Sequence, residues 1–161
     1  MVSKRDRAGD VRFTSEKGLS RRQRRTVDLR RLSVTKFAAG PEVRLRLRRV
    51  VTDGSFDQYF FVYFYVDGNL RAYFKIHGSR PTGTAGFEGA DTPQHYTKCR
   101  VKGQVSENHK QLTVSVPARC VPSGPVEIET RAYTTPLGKE GGSIVFSNDR
   151  MRIRHPVIVR G

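Results

Sequence analysis

The chain has 161 residues, a length that fits one domain and would make two domains small. It carries 30 Lys and Arg against 15 Asp and Glu, and 16 of the basic residues with only 5 acidic ones fall within residues 1–49. A formal charge of +15 attracts polyanions such as nucleic acid, anionic cell-wall polymers or lipid headgroups. No apolar run approaches the roughly 20 residues that a membrane-spanning helix needs, so none is expected.

The first part of the chain is the most basic. Residues 1–25 are predicted to form a basic, partly irregular segment in front of a β-sandwich domain of residues 26–161. Two pairs of arginines would give this segment a polyanion-binding arm, formed by Arg21, Arg22, Arg24 and Arg25. The segment begins without a hydrophobic signal region, and we interpret Met1 as a start placed after a removed signal peptide. The protein is therefore expected to be secreted or associated with the cell envelope.

A period of two dominates the remaining sequence, and a period of 3.6 is nearly absent. Apolar and polar residues alternate at 43–48, 70–77, 98–102, 112–116, 126–132 and 150–154. Each segment predicts a strand with one buried face and one solvent face. A further strand over 27–37 requires a β-bulge at Arg30–Arg31 to keep its alternation. The prediction is an all-β, antiparallel, jelly-roll-like sandwich of eight or nine strands.

Residues 59–66 are apolar on both faces and are followed by Asp67-Gly68, a two-residue hairpin signal. Such a turn predicts that Tyr59, Phe61, Tyr63 and Tyr65 face the core together with Leu70, Ala72, Phe74 and Ile76. The opposite face would combine aromatic and basic residues, and we predict a ligand surface there. Its residues would be Phe64, Arg71, Tyr73 and Lys75, joined by Arg44, Arg46 and Arg48 if their strand is a neighbour. The alternative is that Phe60, Val62 and Phe64 are packed under a second layer.

The two cysteines predict one disulfide. Cys99 lies on a strand, and Cys120 lies just past the end of the next strand, so a hairpin between them brings the two close. A disulfide indicates an oxidising compartment. The alternative is a pair of buried free thiols.

Neither catalysis nor a resident metal is expected. The four histidines lack metal-ligand spacing, and Glu127 and Glu129 are interpreted as surface glutamates that face arginines rather than as a catalytic pair. Asp10, Asp28 and Asp149 would meet if the first and last strands share an edge, and their oxygens would suit Ca²⁺. Ordinary caps and ion pairs are the preferred interpretation of these aspartates, and no cofactor is expected.

Several segments in a fixed order resemble a group of exported actinobacterial proteins of unknown function that are similar to DOMON-like and carbohydrate-binding-module-like β-sandwiches. They are DRAGDV at residues 6–11, VDL at 27–29, VSVPARC at 114–120, Cys99 and Asp149. The resemblance implies a jelly-roll sandwich, export and a Cys99–Cys120 disulfide. It implies ligand binding only by analogy, because a fold does not determine a function. The chain departs from carbohydrate binders in having no Trp.

These observations predict a non-catalytic extracellular binding module whose ligand is a glycan or an anionic envelope polymer. The alternative is a nucleic-acid or general polyanion-binding protein that uses the basic N-terminal half. Nucleic acid is the less expected partner if the protein is exported. The sequence leaves the oligomeric state open.

Overall fold

The computed structural model describes residues 1–7, 12–13, 25–51, 57–77, 82–86, 99–122, 124–135 and 147–159. Nine strands have five or more residues, and two are shorter. The strands are β1 (Val2–Arg5), β2 (Arg12–Phe13), β3 (Leu29–Phe37), β4 (Gly40–Leu47), β5 (Asp57–Val66), β6 (Asn69–His77), β7 (Thr82–Gly86), β8 (Arg100–Val105), β9 (Gln111–Ser115), β10 (Gly124–Thr135) and β11 (Ser147–Val159). The predicted all-β antiparallel sandwich is confirmed. Nothing in these ranges is a helix long and apolar enough to cross a membrane.

The strands are hydrogen-bonded in the order β1-β3-β4-β9-β8-β7-β6-β5-β10-β11-β2, and every pair is antiparallel. We call β1, β3, β4, β9 and β8 the first layer, and β6, β5, β10 and β11 the second layer. β7 connects the layers on one side. On the other side β11 lies against β1 and β3, and the Lys4 Nζ donates to the Arg152 carbonyl at 3.3 Å. The residues 1–25 segment thus contributes edge strands to the sheet.

One apolar core lies between the two layers. Its largest fully buried side chains are Phe60, Phe64, Phe74, Leu29, Leu32, Leu45, Leu47, Ile76, Leu112, Ile128 and Met151. They come from both layers because alternate residues of each strand point to the same side of the sheet. Burying a side chain of this size contributes about 1.5–3 kcal/mol.

The predicted core face of the β5–β6 hairpin is wrong by one residue. Across the Asp67-Gly68 turn, Tyr65 pairs with Leu70, but the next pair is Phe64 with Ala72, so Arg71 is an extra residue in β6. An unpaired residue of this kind is a β-bulge, and a shift of one exchanges the two faces of a strand. The core therefore contains Phe60, Val62 and Phe64 with Ala72, Phe74 and Ile76. The tyrosines of β5 lie on the outer face instead.

Two local predictions are confirmed. The register of β3 against β4 shifts between Leu29 and Arg31, which is the bulge expected at Arg30–Arg31. Cys99 and Cys120 form the disulfide, with a Cα–Cα distance of 5.8 Å across a sequence separation of 21. A loop of this length contributes about 3 kcal/mol of stability in the chain-entropy account. The bridge ties the beginning of β8 to the 3₁₀ turn Ala118–Cys120 that follows β9.

Candidate functional site

The residues predicted to form one ligand surface lie on two different layers. Arg44, Arg46 and Arg48 are exposed along β4 and just after it. The strands that pair with β4 are β3 and β9, so these arginines are not neighbours of β5 and β6. Arg71 is exposed and Tyr73 is half-buried on the second layer.

Phe64 does not belong to either surface. Its side chain is fully buried and packs edge-on against Phe74, with ring centroids 5.7 Å apart. The bulge at Arg71 is the reason, because it turns Phe64 to the inside. The backbone of Lys75 pairs with Phe61, and the Lys75 side chain lies outside the described residues.

An aromatic cluster covers the outer side of β5, β6 and β10. Phe61 and Tyr63 stack with centroids 5.8 Å apart and planes 13° apart. The ring centroids of Tyr73 and Tyr63 are 5.8 Å apart, and Tyr133 packs edge-on against Phe61 with centroids 5.4 Å apart. Each ring is half-buried. Together with Tyr65 and the charged residues Glu127, Glu129, Arg131, Arg150 and Arg152, these rings form what we call the aromatic face.

Each arginine of the aromatic face is paired with a carboxylate of the same face. Glu129 is fully buried and pairs with Arg131 at 2.6 Å and with Arg150 at 2.5 Å. Glu127 pairs with Arg152 at 2.7 Å. The two glutamates thus face arginines as expected, although Glu129 is buried rather than on the surface. The guanidinium groups of Arg131 and Arg152 also lie over the rings of Tyr63 and Tyr65, at 5.0 and 4.6 Å from the ring centroids.

Burial and hydrogen bonding shift three pKa values on this face. Burial raises the pKa of Tyr63 above its ordinary value, and neighbouring Tyr133 adds to the shift. Burial likewise raises the pKa of Tyr65. For Arg131, burial alone would lower the pKa, but hydrogen bonds to Tyr133 and Glu129 outweigh it and the pKa is raised. The tyrosines stay neutral and Arg131 stays cationic.

A second arginine-rich region lies on the first layer, where a cavity of about 340 Å³ opens beside β1, β3 and β4. We call it the basic cleft. It is lined by Arg5, Arg30, Arg31, Arg46, Leu47, Arg48 and Lys110. Strand register brings most of these together, since Arg31 pairs with Arg5 on one side and with Arg46 on the other. Lys110 is held close because its carbonyl accepts the Leu47 N–H at 2.8 Å.

The charges of the basic cleft are not balanced. Arg30 pairs with Asp28 at 2.9 Å. No ion pair joins the other five cations to an acidic residue in the described part of the chain, and no acidic side chain there lines the cavity. Like charges at directly opposed positions of neighbouring strands repel. The cross-strand row of Arg5, Arg31 and Arg46 therefore lowers the stability of the sheet unless an anion is present.

The sequence pointed to Arg46 and Arg48 but not to the other cations of the cleft. Arg5, Arg31 and Lys110 lie far apart in the chain. The register of β1, β3 and β4 brings the two arginines together, and the hydrogen bond from the Leu47 N–H to the Lys110 carbonyl places Lys110 beside them. The arginine arm was a different prediction. Arg21, Arg22 and Arg24 lie outside the described residues, whereas Arg25 is exposed and directly precedes the buried Thr26.

Two of the three aspartates discussed as calcium ligands have ordinary protein partners. Asp28 pairs with Arg30, and Asp149 accepts the N–H groups of Leu29 and Arg150, both at 2.8 Å. The contact with Leu29 shows that the last strand meets β3, as the prediction required. Asp10 lies outside the described residues, and in the rest no group of three metal-ligating side chains occurs. Calcium binding, the alternative to caps and ion pairs, stays untested.

No protein-family model, curated protein or solved structure matches the chain. The resemblance to DOMON-like and carbohydrate-binding-module-like sandwiches therefore stays a prediction.

Proposed function

We propose that the protein is a non-catalytic binding module whose ligand is an anionic polymer of the cell envelope, bound through the basic cleft. The observation that carries the proposal is the unbalanced charge of that cleft. Six cationic side chains line one cavity, and one of them has an acidic partner among the described residues. An anionic ligand would supply the partners that the protein does not, and would relieve the repulsion between the arginines.

The choice of an envelope polymer over nucleic acid rests on the disulfide. Disulfides persist mainly in oxidising compartments, which include the outside of the cell, and polymers of the envelope are the polyanions present there. The Cys99–Cys120 bridge therefore supports an exported protein. The high net charge of the whole chain would speed encounter with any polyanion but would not select among them.

The proposal is tested by equilibrium binding of the whole chain to a fluorescently labelled poly(glycerol phosphate), measured over a range of salt concentrations. Arg46→Gln should weaken binding and make it less salt-dependent, because each lost phosphate contact reduces the slope of log affinity against log salt by about 0.7–0.9 in magnitude. Arg44→Gln is the matched control. Arg44 lies two residues away on β4 but already pairs with Glu42 at 2.6 Å. Equal losses in the two variants, or no saturable binding of the polymer, would contradict the proposal.

The same measurement with single-stranded DNA separates the two polyanion classes. At equal phosphate concentration and equal salt, the envelope polymer should bind at least as tightly as the DNA. Tighter binding of the DNA would overturn the choice of ligand and favour the nucleic-acid function.

A second candidate function, binding of an uncharged glycan, is favoured by one observation on the other layer. The aromatic face presents half-buried rings, and its arginines are already engaged by glutamates. A ligand there would gain contact with ring surfaces rather than with free charge. Calorimetric titration with a soluble β-glucan would test this function, and Tyr73→Ala should abolish the binding heat while Arg46→Gln leaves it unchanged.

A further inference from the structure

Arg31 differs from the other cations of the basic cleft in how its guanidinium is held. The side chain is half-buried, and its Nη2 donates to the Ser3 hydroxyl at 3.0 Å. Its Nε is buried and has no hydrogen-bond acceptor among the described residues. A buried donor without an acceptor costs about 1–3 kcal/mol, and more when the donor is charged. An exposed arginine would avoid this cost by hydration.

The position of Arg31 in the sheet adds a second cost. It is the middle residue of a cross-strand row that runs Arg5, Arg31, Arg46 on β1, β3 and β4. Neighbouring strands are about 4.8 Å apart, so three positive side chains stand side by side. Folding alone does not favour this arrangement. An anion among the three guanidinium groups would remove the repulsion between them.

The geometry of the row bears on the kind of anion. A carboxylate has two oxygens in one plane and matches the fork of a single arginine. A tetrahedral oxyanion offers three or four oxygens in different directions, so guanidinium groups from three strands can each bind one. We infer that the basic cleft contains a fixed site for one tetrahedral oxyanion, a phosphate or sulfate group, bound by Arg31 between Arg5 and Arg46. The inference rests on the proposed function, because it names the charged group by which the anionic polymer is held.

Asp6 directly follows Arg5 in the chain, and its N–H donates to the Arg30 carbonyl at 3.1 Å. It does not line the cavity and has partners of its own. The site therefore takes its charge from the cations that line the cleft.

Calorimetric titration of the whole chain with sodium phosphate, sodium sulfate and sodium acetate, at constant ionic strength, tests the site. Phosphate and sulfate should bind with one-to-one stoichiometry, and acetate should bind at least ten times more weakly. Equal affinities for the three ions would overturn the inference.

A charge-conserving variant tests the role assigned to Arg31. Arg31→Lys keeps the positive charge but removes the planar fork, and it should weaken phosphate binding by about tenfold. Arg44→Lys is the matched control and should leave phosphate binding unchanged. If circular dichroism shows that Arg31→Lys does not fold, Ser3→Ala is used in its place. Ser3 is exposed, and its hydroxyl accepts the hydrogen bond from Arg31 Nη2. The serine variant should bind phosphate about threefold more weakly. Wild-type affinity in the folded variant would overturn the inference.

Phosphate esters identify the source of the group. Tighter binding of glycerol phosphate than of inorganic phosphate would assign the site to a phosphate group of the polymer, and the reverse order would assign it to the free ion. Both results retain the site, and failure of both compounds to bind would remove it. If the polymer binds in an Arg46-dependent manner but phosphate binds no more tightly than acetate, this inference alone is refuted. Phosphate binding without polymer binding would refute the proposed function alone.

Discussion

The basic cleft and the aromatic face both gather arginines on the outside of a sheet, but in the described residues carboxylates pair with all three arginines of the aromatic face and with one of the six cations of the basic cleft. On the aromatic face, Glu127 and Glu129 pair with three arginines. In the basic cleft, the ion pair between Arg30 and Asp28 is the one found among the described residues. We therefore base the proposed anion site on which arginines lack protein partners and not on the number of arginines.

The two regions also differ in what they do for the fold. The paired charges and stacked rings of the aromatic face add contacts around a fully buried carboxylate and stabilise the second layer. The cationic row of the basic cleft has no such partners and opposes folding. Sites that lower stability are often retained because they bind something.

The largest effect is expected when the balance of the aromatic face is broken. Glu129→Gln removes a fully buried charge and leaves Arg131 and Arg150 without their main partner. The loss of a charged hydrogen-bonding group of this kind should lower the free energy of unfolding by about 3 kcal/mol. Urea denaturation measures it.

The matched control is Glu42→Gln on the first layer, where Glu42 pairs with Arg44 through side chains that are 21% and 44% exposed. An exposed ion pair contributes about 0.2–1 kcal/mol to the free energy of unfolding. A loss at Glu42 as large as that at Glu129 would show that burial does not distinguish the two regions.

A smaller effect with the opposite sign is expected in the basic cleft. Arg46→Gln removes one charge from a row of like charges and should raise the free energy of unfolding by about 0.5 kcal/mol at low salt. The gain should shrink as salt is added, because the repulsion in the wild-type protein is screened. Destabilisation by this substitution at low salt would mean that Arg46 has a stabilising partner and that the cleft is balanced after all.

The smallest effect concerns ionisation of the aromatic face. The pKa of Tyr63 is raised by burial from its ordinary value of 10.0, so the neutral phenol stabilises the fold below about pH 10, and this contribution is lost as the pH rises further. Tyr63→Phe cannot ionise and should lose less stability between pH 9 and about pH 11 than the wild-type protein. Denaturation at each pH gives the comparison. Identical pH profiles would mean that Tyr63 ionises as freely in the folded chain as in the unfolded one.

The sequence predicted the positions of the strands well, but it did not predict which residues form the outer surfaces. Alternation with a period of two was enough to predict the sandwich, and the break at Arg30–Arg31 was visible because an arginine cannot take a core position cheaply. The bulge at Arg71 was not visible, because residues 59–66 are apolar on both faces and either face could be buried. The error exchanged the faces of β5 and misplaced Phe64.

The basic cleft could not be predicted for a different reason. Its residues come from β1, β3, β4 and the turn before β9, and their proximity depends on the register of strands that are distant in sequence. Charge counting correctly found the basic N-terminal part of the chain. It did not show which arginines have partners.

The most direct test of anion binding by the basic cleft is to place a carboxylate beside it and measure poly(glycerol phosphate) affinity. Gln111 on β9 pairs in register with Arg46, so Gln111→Glu places a negative charge beside the row, as Glu129 does on the aromatic face. Gln104→Glu on β8 is the control, because it changes the net charge equally at an exposed position that pairs with Thr113. We expect Gln111→Glu to lower polymer affinity by about tenfold and to raise the free energy of unfolding, and Gln104→Glu to have smaller effects on both. Equal affinities of the two variants would contradict it.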